Sequence, residues 1–87
     1  MEHHTSSHFW KQFNALPPEI QTLALENYDL LKANPRHPSL QFKKAGKVWS
    51  SRVGRRHRAV AVQNETGFLW VWIGTHAEYE KFIKAEK

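Results

Sequence analysis

The chain has 87 residues, no cysteine, and 13 Lys and Arg against 8 Asp and Glu, which gives a formal net charge of +5. This length supports a single domain over residues 1–87. The lack of cysteine excludes disulfides, thiolate metal sites and cysteine nucleophiles. No apolar run approaches the roughly 18–20 residues that cross a bilayer, and residues 1–4 lack the order of a secretory signal. We therefore predict a cytoplasmic protein with no membrane partner.

The positive charge is concentrated in the middle of the chain. Residues 30–77 contain nine basic residues and one acid, Glu65. The nine are Lys32, Arg36, Lys43, Lys44, Lys47, Arg52, Arg55, Arg56 and Arg58. Such an excess repels itself unless an anion is bound there, and arginine suits phosphate better than lysine does. The segment predicts a polyanionic partner, and the alternative is a solvated basic surface balanced by a partner protein.

The N-terminal part of the chain predicts two helices. Residues 1–8 are polar and rich in histidine, and we expect them to be flexible, with no fixed ligand set for a metal. Phe9, Phe13 and Leu16 recur at helical spacing and predict a short first helix. A second helix is predicted from Pro18 to about Ala33, because proline is tolerated in a first turn and Asn-Pro at 34–35 ends the pattern.

The pattern changes to β after residue 39. Alternating or β-branched runs at 40–43, 48–53, 58–62 and 67–73 predict four strands, joined by turns at 44–47, 54–57 and 64–67. Turns this short make neighbouring strands antiparallel. On the last strand, simple alternation predicts that Trp70 and Trp72 share a face.

A last helix is predicted from Thr75 to about Ala85. Thr75 is a good N-cap, and Glu78 three residues later completes a capping box. The order of elements predicts an α+β domain with its helices on one face of an antiparallel sheet.

Several short stretches, taken together in this order and spacing, resemble the RelE/ParE superfamily of toxins from type II toxin–antitoxin systems. The resemblance covers residues 9–82. The stretches are Leu-Pro-Pro-Glu-Ile-Gln at 16–21, Asn-Pro-Arg-His-Pro-Ser-Leu at 34–40, Phe-Lys-Lys at 42–44, Trp-Ser-Ser-Arg-Val-Gly at 49–54, His-Arg-Ala-Val at 57–60 and Ile-Gly-Thr-His-Ala-Glu-Tyr at 73–79.

The resemblance implies two N-terminal helices packed on a curved antiparallel sheet of about four strands, with a short C-terminal helix. Many members have an additional first strand, for which residues 3–8 leave little room. The resemblance also implies a cognate antitoxin that masks the basic surface, and contact with operator DNA only through the toxin–antitoxin complex.

The activity that the resemblance implies is cleavage of mRNA on the ribosome, by attack of a 2′-hydroxyl on the adjacent phosphate. This reaction needs neither a metal nor another cofactor. Two alternatives remain open, because one fold hosts several functions. The first is a ParE-like inhibitor of DNA gyrase, and the second is a catalytically degenerate module that binds an antitoxin or DNA.

The candidate catalytic residues are Arg52, Arg58, His76 and Tyr79. Arginine holds its charge at any working pH and offers paired donors to the oxygens of a phosphorane. Histidine suits transfer of the 2′ or 5′ proton. His76 and Tyr79 stand three residues apart and share a helix face. For each residue the alternative is structural: an ion-paired or solvated arginine, a packing histidine or a core tyrosine.

The candidate RNA-binding residues are Lys43, Lys44, Lys47, Arg55 and Arg56. Strand alternation sends the two adjacent lysines to opposite faces, so at most one points into a common site. The others are interpreted as contacts to the RNA backbone, and solvated side chains are the alternative. The histidine at position 57 is interpreted as an incidental turn residue.

Overall fold

The structure, a computed structural model, describes residues 2–86, which form one five-stranded sheet with helices on both faces. The helices are α1 (Ser7–Asn14), α2 (Pro18–Ala33) and α3 (His76–Glu86), with a 3-10 turn at Pro38–Leu40. The strands are β1 (Glu2–Thr5), β2 (Lys43–Ala45), β3 (Val48–Val53), β4 (His57–Gln63) and β5 (Gly67–Thr75). In the part of the chain described, no helix is long and apolar enough to span a bilayer.

The sheet order is β1-β5-β4-β3-β2, and the predicted α+β fold class is confirmed. Strands β2 to β5 are antiparallel neighbours, as their short connections require. The strand count is five, one more than predicted, because Glu2–Thr5 pairs in parallel with the start of β5. Its polar sequence carries no strand pattern, so the prediction missed it.

The contacts of His3 explain why the polar strand β1 stays paired with β5. The imidazole of His3 stacks on Phe68 with ring centroids 5.6 Å apart, and its Nδ1 accepts a hydrogen bond from Trp70 Nε1 at 3.0 Å. Tyr28 of α2 donates a hydrogen bond to the His3 carbonyl oxygen at 3.3 Å. Burial lowers the pKa of His3, and the charge of Lys32 lowers it further.

The lowered pKa of His3 predicts a pH-dependent stability. The unfolded chain takes up a proton at the ordinary histidine pKa of about 6.5, whereas the folded chain resists it. The contribution is therefore present above pH 6.5 and is lost as the pH falls below that value. We expect thermal melts between pH 7.5 and 5.5 to show a steeper loss of Tm for the wild type than for His3→Asn. His4→Asn, which alters an exposed histidine, should keep the wild-type slope, and parallel curves for His3→Asn and the wild type would contradict the assignment.

Helices α1 and α2 cover one face of the sheet. Helix α1 is capped by Ser6, whose side chain accepts a hydrogen bond from the backbone N–H of Phe9 at 3.1 Å. Helix α2 has the predicted bounds, Pro18–Ala33. Buried side chains of both helices, among them Phe13 and Leu31, join Trp70 and Ile73 of β5 in the larger core cluster.

Helix α3 packs on the opposite face of the sheet, so the expectation that all helices share one face is wrong. Tyr79 forms a second cluster with Val48 and Val60, and Trp72 stacks on Phe82 with ring centroids 5.7 Å apart. The sheet is apolar on both sides, and each side therefore needs its own cover.

A β-bulge in β5 reverses part of the predicted side-chain pattern. Val60 pairs with Trp72 while Ala61 pairs with Trp70, so Val71 is an extra residue on β5. Trp70 faces α1 and α2, whereas Val71 and Trp72 face α3. The prediction that Trp70 and Trp72 share a face is wrong, because alternation holds only in an uninterrupted ladder.

The strand predicted at residues 40–43 is displaced. Leu40 ends the 3-10 turn, and Gln41 adopts a left-handed backbone conformation with φ 43°. That conformation interrupts an extended chain, so pairing begins only at Lys43. Gln41 thereby turns its backbone toward β4 and takes part in the site described below.

The capping box at the start of α3 is confirmed. Glu78 Oε1 accepts hydrogen bonds from the backbone N–H and the hydroxyl of Thr75, both at 2.9 Å, and Thr75 Oγ1 accepts one from the Glu78 N–H at 3.2 Å. These two hydrogen bonds from Thr75 hold the pKa of Glu78 below its usual value.

Loss of this cap should destabilise the fold. We expect Thr75→Ala to lower the free energy of unfolding by about 1 kcal/mol, and Tm by about 4–8 °C for a domain of this size. Thr75→Ser keeps the capping oxygen and should melt close to the wild type. Equal melting of the alanine and serine variants would show that the cap contributes nothing measurable.

Candidate functional site

A cavity of about 250 Å³ opens where the turn between β3 and β4 meets the start of α3. It is lined by Gln41, Arg52, Arg55, His57, Arg58 and His76. Two other cavities, of about 30 and 20 Å³, are lined by residues of the α1 and α2 side without Lys, Arg or His. The larger cavity therefore brings together three of the four predicted catalytic residues, with three guanidinium groups in its lining.

The antiparallel pairing of β3 and β4 places Arg52 beside Arg58. The two residues are directly opposite in the register, so their side chains leave the sheet on the same face. Like charges at such positions repel each other. The Arg52 side chain is held by the backbone of the turn that follows β3, because its Nε donates a hydrogen bond to the Gly54 carbonyl oxygen at 2.8 Å. The pairing therefore creates positive potential at the cavity.

Arg58 lies deepest in the site and is only 3% exposed. Its Nη2 donates to the Gln41 carbonyl oxygen at 3.1 Å and to the Ser50 hydroxyl at 2.9 Å, while its Nε is buried and has no partner among residues 2–85. Its guanidinium carbon lies 5.0 Å from the centre of the Tyr79 ring, which is a cation–π distance. Neutral groups fix the arginine in place and leave its charge uncompensated.

The missing counter-charge is the most informative feature of Arg58. Within residues 2–85, no carboxylate lies within 4.0 Å of this guanidinium. Burial lowers the pKa of Arg58, Tyr79 opposes that change, and Arg52 adds to it. Buried charges in proteins are normally paired, because desolvation of an unpaired ion is costly. Arg58 thus carries a buried positive charge that no carboxylate balances in the described residues.

Tyr79 lies behind Arg58 rather than in the cavity lining. It is 7% exposed, and its hydroxyl shares a hydrogen bond of 3.1 Å with the Ser50 hydroxyl. Ser50 is fully buried and connects Tyr79 to Arg58. The geometry gives Tyr79 contacts that position Arg58, and a direct catalytic role for its phenol stays a prediction.

His76 stands at the rim of the cavity on the first turn of α3. Its Nε2 is 2.9 Å from Glu80 Oε1, with side-chain exposures of 50% and 60%. The backbone N–H of His76 donates to the Arg56 carbonyl at 2.6 Å, which ties the helix start to the turn between β3 and β4. The ring therefore sits at the edge of the cavity with one nitrogen engaged by a carboxylate.

The predicted RNA-binding residues are all exposed but lie at different distances from the cavity. Lys43 is opposite Ser50 and so points to the Arg58 face, whereas Lys44 is opposite Trp49 and points to the other face. Lys47 lies in the turn between β2 and β3, about 17 Å from Arg52 along the strand. Arg55 lines the cavity, and Arg56 is exposed in the same turn.

Sequence reasoning missed three contributors to this site. His57 was interpreted as incidental, yet it lines the cavity as the first residue of β4. The Gln41 carbonyl and the Ser50 hydroxyl hold Arg58. The hydrogen bond between Arg58 and Ser50 depends on the strand register, which no short stretch of sequence shows. The His-Arg dipeptide at 57–58 was a signal that could have drawn attention to His57.

Comparison with solved structures shows the same fold elsewhere. The chain aligns with a structure of the RelB–RelE antitoxin–toxin complex from Methanococcus jannaschii at TM-score 0.67 and 16% identity, covering 91% of this chain and 96% of that one. It aligns with the RelBE2 toxin–antitoxin complex from Mycobacterium tuberculosis at TM-score 0.64 and 14% identity, covering 85% and 95%. No protein-family model and no curated protein sequence matches the chain. The chain has a RelE-like fold, which confirms the resemblance at the level of the fold.

Proposed function

Starting from the RelE-like toxin fold, we propose that this chain is the toxin of a type II toxin–antitoxin pair and cleaves mRNA on the ribosome. The observation that supports the proposal most strongly is the buried, unpaired Arg58 at the base of a cavity that two further arginines line. An RNA phosphate supplies the missing anion, and arginine offers it paired donors.

The proposed reaction is a transesterification at phosphorus. The 2′-hydroxyl loses its proton as its oxygen forms a bond to the adjacent phosphate, the bond from phosphorus to the 5′-oxygen breaks, and the departing 5′-oxygen takes up a proton, so the number of bound protons is unchanged overall. Arg52 and Arg58 stabilise the extra negative charge of the pentacoordinate phosphorane. His76 transfers a proton at the rim, where its position leaves it open to a substrate. These groups perform the reaction without a metal or another cofactor.

The basic surface around the cavity is proposed to guide the RNA backbone. Arg55 and Arg56 extend the positive potential along one side, and Lys43 extends it toward the edge strand β2. Lys44 and Lys47 lie farther away and are proposed to contact ribosomal RNA, where they add affinity without choosing a sequence.

The proposed protein partner is a cognate antitoxin that covers the basic surface. The neighbouring structures are toxin–antitoxin complexes, so the fold is compatible with such a partner. Three large apolar side chains, Trp10, Leu25 and Val62, are between 36% and 47% exposed in the isolated chain. Contact with operator DNA is proposed only for the toxin–antitoxin complex. The site of action is the cytoplasm, where translated mRNA is found.

The experiment that tests this function is the mapping of mRNA 5′ ends in cells that express the chain. We expect new ends inside translated reading frames for the wild type and none for Arg58→Met. Arg36→Met is the matched control, because Arg36 is an exposed arginine outside the cavity lining and its loss should leave the cuts unchanged.

The same cells distinguish the alternative functions. Intact mRNA together with altered plasmid supercoiling would contradict the nuclease and support inhibition of DNA gyrase. Intact mRNA with normal supercoiling, together with a stable complex between this chain and an antitoxin encoded by a neighbouring reading frame, would support a catalytically degenerate module that only binds a partner.

A further inference from the structure

We propose that Ser50 is a positioning residue of the phosphate site, and that its hydroxyl holds Nη2 of Arg58 so that Nη1 becomes the donor to a phosphate oxygen. The proposal rests on the proposed function, whose anion site it describes atom by atom. Ser50 lies on β3 two residues before Arg52, so both side chains leave the sheet on the same face. Ser50 is 0% exposed and therefore acts only through the residues around it.

The hydrogen bonds of Arg58 determine which of its nitrogens is left for an anion. A guanidinium has only donors, so the Ser50 hydroxyl accepts a bond from Nη2 at 2.9 Å and the Gln41 carbonyl oxygen accepts another at 3.1 Å. These two acceptors match the two N–H groups of Nη2. Nε is buried, whereas Nη1 is not enclosed in this way and has no partner among residues 2–85. Both N–H groups of Nη1 therefore remain for a phosphate.

Tyr79 of α3 fixes the serine and the arginine from one side. Its hydroxyl lies 3.1 Å from the Ser50 hydroxyl, and the centre of its ring lies 5.0 Å from the guanidinium carbon of Arg58. Because the guanidinium is planar and rigid, a fixed Nη2 also fixes the direction of Nη1. A direction that is set in advance lowers the cost of ordering the arginine when the anion binds.

Ser51 provides a matched control for Ser50. It is the next residue of β3, is 5% exposed, and lines a small cavity with Ala24 of α2, on the side of the sheet opposite to Arg58. Its hydroxyl donates to the Leu40 carbonyl oxygen at 3.5 Å. Ser51→Ala therefore removes a buried hydroxyl and its hydrogen bond without touching Arg58, so a general loss of packing would affect both serine variants equally.

NMR of the chain labelled with ¹⁵N-arginine tests the direction of the guanidinium. In the wild type we expect two separate Nη signals that are absent in Arg58→Met, because a held Nη2 stops rotation of the group. Nuclear Overhauser contacts to Ser50 identify Nη2, and inorganic phosphate should shift Nη1 while Nη2 stays nearly unchanged.

The serine variants separate positioning from packing. Ser50→Ala should merge the two Nη signals and weaken phosphate affinity by about tenfold, the effect of one hydrogen bond to a charged group. Ser51→Ala should keep both signals and an affinity within about twofold of the wild type, because it lies apart from the site. Ser50→Cys, whose thiol is a weak acceptor, should show the same losses as Ser50→Ala and replaces it if the alanine variant does not fold.

Two separate signals with unchanged phosphate affinity in Ser50→Ala would overturn the proposal, as would a wild-type chain in which phosphate shifts Nη2 or fails to shift Nη1. Equal effects of Ser50→Ala and Ser51→Ala would also overturn it, since both serines would then be structural. Cleavage of mRNA is measured separately. Cutting by Ser50→Ala at the wild-type rate would overturn the proposal and leave the proposed reaction standing, whereas Ser50-dependent phosphate binding by a chain that cuts no mRNA would contradict the reaction and support the proposal.

Discussion

Replacing Arg58 by methionine is expected to stabilise the fold while it abolishes RNA cleavage. Methionine reaches about as far as the Nε of arginine and carries no charge, and replacement of buried charges by apolar residues is often stabilising. Because Arg58 has no carboxylate within 4.0 Å in residues 2–85, the substitution leaves no partner charge behind. We expect the free energy of unfolding to rise by about 1–2 kcal/mol, measured by urea denaturation.

The same variant should lose catalysis, because it lacks the donors that we propose for the phosphorane. We expect a decrease of about 10²–10³-fold in the cleavage rate in a purified translation system, similar to the loss of a donor in other anion-stabilising sites. Arg55→Met serves as the control inside the cavity: Arg55 is exposed, so its loss should change stability by less than about 0.5 kcal/mol. A less stable Arg58→Met would identify Arg58 as a structural residue and would remove the main support for an anion site.

His76→Ala should decrease the cleavage rate by about 10²–10³-fold with little change in Tm. The ring is half exposed and stands at the rim, so its removal costs little packing, whereas the loss of a proton-transfer group costs catalysis. Added imidazole should restore part of the activity, because the cavity of about 250 Å³ is open to a molecule of that size. Rescue separates proton transfer from a packing role.

Glu80→Gln is the companion to this variant. Glu80 engages His76 at 2.9 Å but does not line the cavity, so its loss should decrease the rate by about tenfold or less. A His76→Ala variant with full activity, or one that imidazole fails to rescue while the fold is intact, would assign the proton transfer to another group.

The parts of the fold that follow from local sequence could be predicted. Helix α2 has the predicted bounds because prolines mark its start and follow its end, and β3 has the predicted bounds Val48–Val53 because glycines stand on both sides of it. The capping box of Thr75 and Glu78 is likewise a local motif, and its hydrogen bonds are as expected.

The parts that depend on tertiary contacts could not be predicted. Strand β1 forms because it pairs with the edge of β5 and because His3 accepts a hydrogen bond from Trp70, sixty-seven residues away in the sequence. The bulge at Val71 and the position of α3 on the second face depend on how the sheet pairs and what each side must bury. Neither the bulge nor the position of α3 can be predicted from a short stretch of the sequence.

The sequence named the candidate residues, and the structure brings Arg52, Arg58 and His76 together in one cavity while Tyr79 lies outside its lining. All five arginines of the chain lie in the middle segment, and the register places Arg52 and Arg58 together. The places of the residues within the site depended on burial: Tyr79 lies behind Arg58, and His57 is one of the residues that line the cavity. Burial arises from the packed sheet, so a sequence pattern alone gives no access to it.

The chemical form of the cleaved RNA ends tests the central claim most directly. If the cavity promotes attack by the 2′-hydroxyl, mRNA cut in a purified translation system will carry a 2′,3′-cyclic phosphate upstream and a 5′-hydroxyl downstream of each break. Arg58→Met will give neither product. Ends with a 3′-hydroxyl and a 5′-phosphate, or uncut mRNA in the presence of folded wild-type chain, would contradict the account.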